Sequence, residues 1–343
     1  MATVLIDGRA AIREETGGVE RWAKELCRRL PGIDPALYRV ASPGRLFAHR
    51  LGHLWEQAQL PVHARLAGVD ALLCPANLAP LGFDRNVVVL HDVAPLRYPD
   101  DFSASYSRWQ RFLLPRLATG ALRVITPSAF SRDELVELCG ADPSTVEVVH
   151  GGVPDLIGPG VDPEPAREAL GLGRPYVLTV ASRVKRKNLS ALTPAAEALA
   201  REGIDLVAVG GGRPQFGAVD HAGGGVRDLG PLGDELLPGL YRGAEAFVLP
   251  SVYEGFGLPV CEAMAAGTPV VCSDRAALPE AAGGAALLVD PDDQSAIARA
   301  LLEVCSDGSL RADLVQRGLK RVEGLTWQAT AERVDGICRA LAS

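Results

Sequence analysis

Two glutamates stand eight positions apart in the stretch "EGFGLPVCEAMAAG", residues 254–267. Glu254 follows the apolar run "AFVLPS" and precedes a glycine-flanked turn. Proline suits a first helical position, so a helix is predicted to begin near Pro259. Glu262 lies about one turn inside this helix. The N-terminus of such a helix presents N–H groups to an anion. A carboxylate lies on each side of this anion site, and each could accept hydrogen bonds from the hydroxyls of one ring. The pattern therefore fits a sugar nucleotide, which consists of a hexose, a diphosphate and a ribose.

A second feature is the basic loop "SRVKRKN", which contains Arg183, Lys185, Arg186 and Lys187. The plainer interpretation is a solvated helix start, which is the commoner meaning of a basic run. However, cations at a helix N-terminus oppose the helix dipole and cost some stability unless an anion offsets them. The loop follows a predicted strand, so it suits a diphosphate, and Asn188 is a candidate cap for the next helix.

Two glycine-containing loops also follow predicted strands. Gly17 and Gly18 open the first helix, where paired glycines let backbone N–H groups approach a phosphate, although a flexible turn is the simpler explanation. The loop "GGGRPQFG", residues 210–217, has glutamine at position 215. It therefore does not match G-x-G-x-x-G, and a nicotinamide dinucleotide site is only weakly supported.

Among the histidines, His91 ends an apolar strand, where it can donate a hydrogen bond to a ligand hydroxyl or orient a carbonyl, although a lone histidine is more often structural. His49 and His53 are four apart, but no glutamate follows His49, so the zinc-protease pattern fails and metal binding is disfavoured.

The pair Asp290 and Asp292 forms a D-x-D, a pattern that some sugar transferases use to bind a metal. The pair lies at a strand-to-helix turn with Pro291 between its members. At such a turn aspartate serves as an N-cap, so we favour capping over metal binding and expect no metal site.

The elements that position these residues alternate between short apolar runs and longer helical stretches. This alternation predicts an α/β fold with parallel, doubly wound sheets, whose ligands bind beyond the carboxyl ends of the strands. Predicted strands cover 3–7, 71–75, 86–92, 123–128 and 145–152, then 176–182, 205–212, 225–230, 246–251, 269–274 and 285–290. Predicted helices cover 19–30, 46–66, 105–118 and 129–139, then 188–202, 234–242, 259–266 and 292–305.

Between the two series lies a segment rich in proline and glycine, which predicts a linker. We expect a Rossmann-like domain over residues 1–153, the linker over 154–174 and a second Rossmann-like domain over 175–325. The helical tail, residues 326–343, is too short to be a domain and is expected to pack on one of the two, with the first domain as a candidate.

Composition limits the class of protein. The chain has 343 residues, 48% of them hydrophobic and 22% charged, and a net charge of −7, which disfavours a general nucleic-acid or anionic-membrane binder. The seven cysteines are scattered and never spaced C-x-x-C, which suits free thiols in a reducing compartment. No stretch looks like a signal peptide or a membrane span. These features predict a cytoplasmic protein.

Taken together, these motifs resemble the retaining glycosyltransferases of family four, which have the GT-B fold of two Rossmann-like domains facing across a cleft. The resemblance spans nearly the whole chain, and its elements "LWEQ", "HDVAPLRYPD" and "RKNL" are most similar to the branch of bacterial O-antigen mannosyltransferases. Its segments are "GGVERWAKEL", "LWEQAQLP", "LHDVAPLRYPDDF", "TPSAFSRDEL", "VVHGGV", "KRKNL", "PSVYEGFGLPVCEAMAAGTPVVCSD" and the C-terminal helix.

The resemblance assigns roles to these residues. It implies that Glu262 binds the ribose, Glu254 binds the hexose, His91 lies against the transferred sugar and Lys187 binds phosphate. The partner of Lys187 is left open between two arginines. The remaining positions implied to contact the donor are Gly17, Gly18, Arg183, Arg186, Gly211, Leu229, Gly255, Phe256, Gly257 and Leu258, with Gly211 and Leu229 near the base.

The resemblance also implies a reaction. It is front-face displacement with retention, in which the leaving diphosphate helps to deprotonate the acceptor, with no metal and no cofactor. The expected donor is GDP-mannose, with UDP-glucose or UDP-GlcNAc as the runner-up, and the acceptor is a glycan, a lipid-linked molecule or a small molecule.

A sugar-nucleotide 2-epimerase on the same fold is a further alternative, as is a non-catalytic sugar-nucleotide binding protein. Release of free nucleoside diphosphate distinguishes a transferase from the epimerase. Oligomeric state and weak peripheral association with a membrane stay open at this stage.

Overall fold

The protein is described by a computed structural model that covers residues 3–13, 17–44, 47, 52–212, 216 and 223–342. Its chain separates into two compact units. The first contains residues 1–96, 108–152 and 327–343, and the second contains residues 97–107 and 153–326. The chain therefore passes from one unit to the other four times, after residues 96, 107, 152 and 326. Residues 97–107 belong to the second unit, and the predicted linker 154–174 lies inside that unit.

The first unit is built on a six-stranded parallel sheet in the order β2-β1-β3-β4-β5-β6. Apolar strands β1, β3 and β4 are buried throughout, as expected for a sheet covered on both faces. The strands are β1 Val4–Asp7, β2 Tyr38–Ala41, β3 Ala71–Cys74, β4 Asn86–Val89, β5 Arg123–Thr126 and β6 Val146–Val148.

The helices that accompany this sheet begin with α1, Gly18–Ile33. A π-helical segment, Trp55–Gln59, joins α2 to α3, and α5 begins in the second unit and continues in the first. The others are α2 Gly52–Leu54, α3 Leu60–Leu66, α4 Ala94–Arg97, α5 Ala104–Gly120, α6 Ala129–Cys139 and α14 Trp327–Ala342.

The second unit repeats the design with a parallel sheet in the order β12-β11-β10-β7-β8-β9. Its strands are β7 Tyr176–Val180, β8 Asp205–Val209, β9 Val226–Asp228, β10 Ala246–Leu249, β11 Val270–Ser273 and β12 Leu287–Val289. Its helices are α7 Glu164–Leu170, α8 Thr193–Arg201, α9 Leu237–Gly243, α10 Leu258–Ala265, α11 Leu278–Ala282, α12 Gln294–Ser306 and α13 Gly308–Val322. The predicted pair of doubly wound parallel sheets is thus confirmed.

The C-terminal helix α14 belongs to the first unit. Its Trp327 meets Trp22 of α1 edge-on, with ring centroids 5.5 Å apart, and both side chains are almost fully buried. Midway along the helix, Asp335 accepts a hydrogen bond from the Tyr38 hydroxyl at 2.8 Å. Aromatic burial on this scale anchors the chain terminus in the core of the first unit.

Strand β2 is absent from the predicted elements. Its Tyr38 is buried, whereas Arg39 and Val40 are exposed, as befits the edge of the sheet. Because the strand has only four residues and Arg39 interrupts them, it lacks the continuous apolar run by which the other strands are predicted.

All seven cysteines are free thiols, five of them buried and Cys27 and Cys305 half-buried. Burial raises the pKa of the Cys27 thiol to about 12 and that of Cys305 to about 11. Across the described part of the chain, the longest apolar helices fall short of what a membrane crossing requires.

Candidate functional site

The paired charges of Lys187 and Glu254 lie at the carboxyl ends of neighbouring strands. β7 and β10 run side by side in parallel, so the loops that follow them emerge at the same edge of the sheet. Lys187 Nζ lies 2.5 Å from Glu254 Oε1, and the two side chains are only 12% and 11% exposed. Ser251 Oγ donates to the same carboxylate oxygen at 2.8 Å. Two residues 67 positions apart therefore form one charged unit.

Arg183, the first candidate partner of Lys187, is engaged elsewhere. Its guanidinium donates two hydrogen bonds to Asp228 at the end of β9, with Nε 3.1 Å from Oδ2 and Nη2 2.6 Å from Oδ1. A third bond joins Nη1 to the Ala181 carbonyl at 3.0 Å. A paired fork of this kind fixes the side chain in one orientation. In this structure Arg183 is turned to Asp228, whose side chain is 44% exposed.

Arg186, the second candidate, is buried and paired with Asp101. The carboxylate accepts from the Arg186 backbone N–H at 3.2 Å and from Nη1 at 3.3 Å. The guanidinium lies 5.2 Å from the centre of the Phe102 ring and 5.8 Å from that of Phe216, close enough for a cation–π interaction. Arg186 thus holds residues 97–107 against the rest of the second unit. Among the described residues of the basic loop, Lys185 is the cation classed as exposed, whereas Arg183 and Arg186 are buried and Lys187 is half-buried.

The helix α10 starts at the same edge of the sheet. Its N-cap, Gly257, has φ +105°, and a Cβ there would come within 2.6 Å of Leu278 Cδ2, so both the backbone and the space require glycine. Pro259 occupies the first turn, as predicted, and Phe256 is buried. Gly255 and Leu258 flank the cap. The turn brings the chain close to the sheet edge and directs the positive end of α10 there.

Glu262 lies in α10 and is buried, with 7% of the residue exposed. Its Oε2 accepts a hydrogen bond from the hydroxyl of Tyr241 at 2.8 Å. Tyr241, in α9, is fully buried and is a residue of this site that the sequence does not reveal, because no motif connects it to Glu262. The tyrosine fixes one oxygen of the carboxylate that we expect to bind a ribose.

The loops after β8 and β9 contain the two positions expected near a base. Arg183 donates its backbone N–H to the carbonyl of Gly211 at 3.2 Å, and Leu229 donates its own to Ala208 at 2.9 Å. The Leu229 N–H is therefore committed to Ala208 rather than directed to a ligand. Gly210 has φ +130°, and a Cβ there would lie 2.1 Å from the Ala181 carbonyl oxygen.

In the first unit, His91 follows β4 and is buried. Its Nε2 lies 2.9 Å from the Pro75 carbonyl oxygen, and its ring meets Trp22 edge-on at 5.5 Å. Burial lowers the pKa of His91, which favours the neutral ring. Since a carbonyl only accepts, Nε2 carries the proton and Nδ1 is an acceptor. The ring nitrogen left for a ligand accepts a hydrogen bond, whereas the sequence led us to expect a donor.

The glycine pair of the first unit opens α1 as predicted. Gly17 is the N-cap, and its backbone N–H donates to Glu20 Oε2 at 3.1 Å, which is one of the two bonds of a capping box; glycine has no side chain to form the other. Arg13 Nη1 lies 3.5 Å from the other oxygen of Glu20. The Gly17 N–H is thus engaged by Glu20 rather than directed to an anion, and Gly18 begins the helix.

The helix caps expected from the sequence are not formed by the residues that were predicted to form them. Asn188 does not cap α8. It adopts φ +55°, and its side chain donates to the carbonyls of Pro250 and Pro291. Asp290 and Asp292 both pair with Arg275, each at 2.8 Å, and the N-cap of α12 is Asp293.

Of the two histidines considered and disfavoured as metal ligands, the structure describes His53. His49 lies outside the described residues, and His53 packs against Trp109. In the described ranges, no group of three His, Cys, Asp or Glu side chains is arranged to hold a metal ion.

Comparison with known proteins now gives these two units a family. The model described as "Glycosyltransferase Family 4" matches residues 16–155, and that described as "Glycosyl transferases group 1" matches residues 174–307. The O-antigen chain mannosyltransferase B of Escherichia coli is 31% identical over 266 residues, which cover 74% of this chain and 70% of that protein. The chain belongs to glycosyltransferase family 4.

Further similarities agree with this family. The D-inositol 3-phosphate glycosyltransferase of Thermomonospora curvata is 31% identical over 64% of this chain and 57% of its own length. The chain thus spans 70% of the first relative and little more than half of the second. Among solved structures, the sucrose-phosphate synthase of Thermosynechococcus elongatus has a TM-score of 0.76 at 22% identity, with 99% of both chains covered. This family-4 glycosyltransferase therefore has the GT-B fold.

Proposed function

We propose that the protein is a retaining hexosyltransferase that moves mannose from GDP-mannose to a glycan, a lipid-linked molecule or a small-molecule acceptor. The observation that carries the proposal is the Lys187–Glu254 pair at the carboxyl ends of β7 and β10. It joins the two residues to which the family resemblance gives the phosphate and the hexose. The positive end of α10 lies at the same edge.

The Lys187–Glu254 ion pair suggests how the donor binds. A diphosphate that approaches Lys187 offers a stronger anionic partner than one carboxylate, and it repels Glu254. Lys187 then exchanges its partner, and Glu254 is released to accept hydrogen bonds from hexose hydroxyls. Ser251 stays bonded to the carboxylate and limits how far it turns. Binding the diphosphate thus prepares the sugar subsite.

The two arginines support this arrangement by position. Arg183 is held by Asp228 and Arg186 by Asp101, so each cation already has a carboxylate counter-ion. We propose that Arg183 and Arg186, fixed by these carboxylates, shape the loop around Lys187, while Lys187 meets the leaving group. A loop with fixed charges stabilises developing negative charge without reorganising during the reaction.

The proposed chemical step is a displacement on one face of the sugar. The bond from the anomeric carbon to the diphosphate oxygen breaks while the acceptor oxygen bonds to the same face. The acceptor proton passes to the departing diphosphate. No carboxylate is assigned as a nucleophile, in contrast to retaining glycosidases that form a covalent intermediate. Positioning of the two substrates and stabilisation of the leaving group are the contributions of the protein.

The remaining donor contacts are proposed from the family pattern. Glu262, oriented by Tyr241, binds the ribose, and His91 lies against the transferred sugar. The base lies near Gly211 and Leu229. Further proposed contacts come from Gly17, Gly18, Gly255, Phe256, Gly257 and Leu258. Mannose is favoured because the Escherichia coli relative is named a mannosyltransferase.

Three measurements test this function. Calorimetry with GDP and UDP should show GDP binding, and clear binding of UDP without GDP would replace the donor by a UDP-sugar. Incubation with GDP-mannose and an acceptor panel should release free GDP and give a product whose anomeric configuration by NMR matches the donor. Activity should survive EDTA, because Lys187 takes the role of a metal ion at the leaving group. Conversion of the donor without GDP release would favour an epimerase.

A further inference from the structure

The stretch "LRYPDDF", residues 96–102, supplies no donor contact in the function proposed above. Its fold is nevertheless well defined. A 3₁₀ turn, Pro99–Asp101, is closed by the Asp101 N–H, which donates to the Tyr98 carbonyl at 3.1 Å. Ser107 Oγ donates to the Pro99 carbonyl at 2.9 Å. Segment 97–107 packs in the second unit with residues 153–326, so the residues that it contacts there indicate what it does.

Segment 97–107 contacts the loop of Lys187 through Asp101. The Asp101 side chain is 4% exposed, and its Oδ2 accepts hydrogen bonds from the backbone N–H and from Nη1 of Arg186. Arg186 immediately precedes Lys187 in the chain. A carboxylate that fixes the backbone N–H of Arg186 therefore also fixes the backbone from which the Lys187 side chain extends.

The same segment contacts the loop of Glu254 through Tyr98. The rings of Tyr98 and Tyr253 have centroids 5.3 Å apart, and Tyr253 is buried. Tyr253 immediately precedes Glu254. Because side chains three positions apart lie on the same side of a 3₁₀ turn, Tyr98 and Asp101 face the second unit together. The segment thus meets each loop at the residue just before a member of the Lys187–Glu254 pair.

A backbone hydrogen bond joins the two loops to each other. The Val252 N–H donates to the Arg186 carbonyl at 2.8 Å, so both backbone polar groups of Arg186 are engaged, one by Val252 and one by Asp101. Lysine has a flexible four-carbon stem, and fixing its backbone limits the positions that its ammonium group can reach. The ion pair therefore rests on two loops that are bonded to each other and to segment 97–107.

We propose that Asp101 and Tyr98 are positioning residues that hold Lys187 opposite Glu254 for the donor diphosphate. They act through Arg186 and Tyr253 and do not touch the donor themselves. The inference rests on the proposed function, because it assigns the leaving group to Lys187. Such residues affect the rate because a displacement of about 1 Å caused by a distant substitution can cost ~100-fold in activity.

Amide hydrogen exchange tests the two loops without any substrate. Asp101→Asn keeps the size of the side chain and loses the charge that holds Arg186, so residues 184–188 and 250–256 should exchange at least ~10-fold faster. Strand β11, residues 270–273, should exchange as before. Asp100→Asn, at the exposed neighbouring position, is the matched control and should change neither loop. Unchanged exchange of both loops in Asp101→Asn overturns the inference.

The aromatic contact has its own pair of variants. Tyr98→Ala removes the ring that packs against Tyr253, so residues 250–256 should exchange faster and kcat/KM should fall several-fold. Tyr98→Phe keeps the ring and should restore both values to those of the unchanged protein. Equal values for the two variants would mean that the ring contact does not hold the loop of Glu254, and would overturn the role of Tyr98.

Steady-state kinetics then distinguishes positioning from a purely structural role, with GDP-mannose as donor or UDP-glucose if calorimetry selects UDP. Asp101→Asn should lower kcat/KM ~10-fold in the unchanged protein but less than about twofold in Lys187→Ala, where the positioned side chain is gone. Equal losses in the two backgrounds overturn the inference. A loss in Lys187→Ala without one in Asp101→Asn overturns the inference alone, whereas an unchanged kcat/KM in Lys187→Ala overturns the role proposed for the lysine as well.

Discussion

The two sheets end in ionic clusters of different design. In the first unit, Asp7 ends β1 beside Arg9 and Glu56, which form an ion pair, and all three are almost fully buried. Two carboxylates there share one arginine, and burial, followed by the charge of Glu56, raises the pKa of Asp7 to about 6. In the second unit, Lys187 and Glu254 are matched one to one and are partly accessible.

This difference separates a structural cluster from one that a ligand can reach. Trp55 donates its indole N–H to Asp7 Oδ1 at 2.9 Å, so the first cluster fastens the π-helical segment to the sheet. A fully buried cluster of this kind resists exchange, because removing one partner leaves an uncompensated charge away from water. The pair in the second unit retains access to solvent, and an anion can take one of its partners.

The largest effect should follow from removing Lys187. Lys187→Ala leaves the Glu254 carboxylate without its cation and the leaving group without a donor, so kcat/KM should fall ~10²–10³-fold. Lys185→Ala, on the exposed neighbour, is the matched control and should change kcat/KM less than about threefold. Steady-state kinetics with the donor checks both. Similar losses for the two lysines would mean that general positive charge, rather than the pair, matters.

The buried cluster of Asp7, Arg9 and Glu56 should make the free energy of unfolding depend on pH. The folded pKa of Asp7 is raised from 3.8 to about 6, so its contribution to stability is present below 3.8 and is lost as pH rises through about 6. Each pKa unit corresponds to about 1.4 kcal/mol. Asp7→Asn should therefore exceed the unchanged protein in free energy of unfolding by up to about 3 kcal/mol above pH 7, with the gap closing towards pH 4.

Urea unfolding at several pH values measures this gap. Asp133→Asn, which removes an exposed carboxylate of the same unit, is the control and should show little change of the gap with pH. A gap of constant size from pH 5 to pH 8 would contradict the buried-charge explanation for Asp7.

A smaller effect is expected at the other half of the exchangeable pair. Glu254→Gln removes a charged acceptor for the hexose, which costs on the order of 1.5–3 kcal/mol and lowers kcat ~10- to 150-fold. It also removes the negative charge beside Lys187, so free nucleoside diphosphate should bind several-fold more tightly by calorimetry. Glu303→Gln, on the surface of α12, controls for the loss of charge. Weaker diphosphate binding by Glu254→Gln would refute partner exchange.

The sequence predicts features that depend on neighbouring residues better than contacts between residues that are far apart along the chain. The alternation of strands and helices, and the placement of Lys187, Glu254 and His91 after strands, are local patterns, and the fold expected from them is confirmed. The contact of Lys187 with Glu254 depends on β7 lying beside β10, and that strand order is not written in either motif.

Partners that carry no motif escape sequence reasoning for the same reason. Asp228 and Asp101, which engage Arg183 and Arg186, lie 45 and 85 positions away from them. Asp101 also lies within the predicted first domain, residues 1–153, although in the structure it belongs to the second unit. The roles assigned to the donor-binding residues remain predictions, because charge neutralisation within the protein is compatible with several ligands.

The smallest effect concerns the orientation of Glu262. Tyr241→Phe removes the hydroxyl that donates to Oε2 and leaves the shape of the core unchanged. The carboxylate then loses one of its hydrogen bonds, which costs on the order of 1–2 kcal/mol. Since the ribose does not react, its contact contributes equally to the ground state and the transition state. The donor KM should therefore rise ~5- to 30-fold, with kcat little changed.

A second buried tyrosine of the same unit supplies the matched control. The Tyr176 hydroxyl donates to the Leu240 carbonyl at 2.8 Å, so Tyr176→Phe removes a comparable hydrogen bond without touching Glu262. Both variants should lose similar stability in urea unfolding, but Tyr241→Phe alone should raise KM. If the two tyrosine variants raise KM equally, loss of stability explains the effect. If Tyr241→Phe lowers kcat instead, Glu262 contacts a reacting part of the donor, and its assignment to the ribose is wrong.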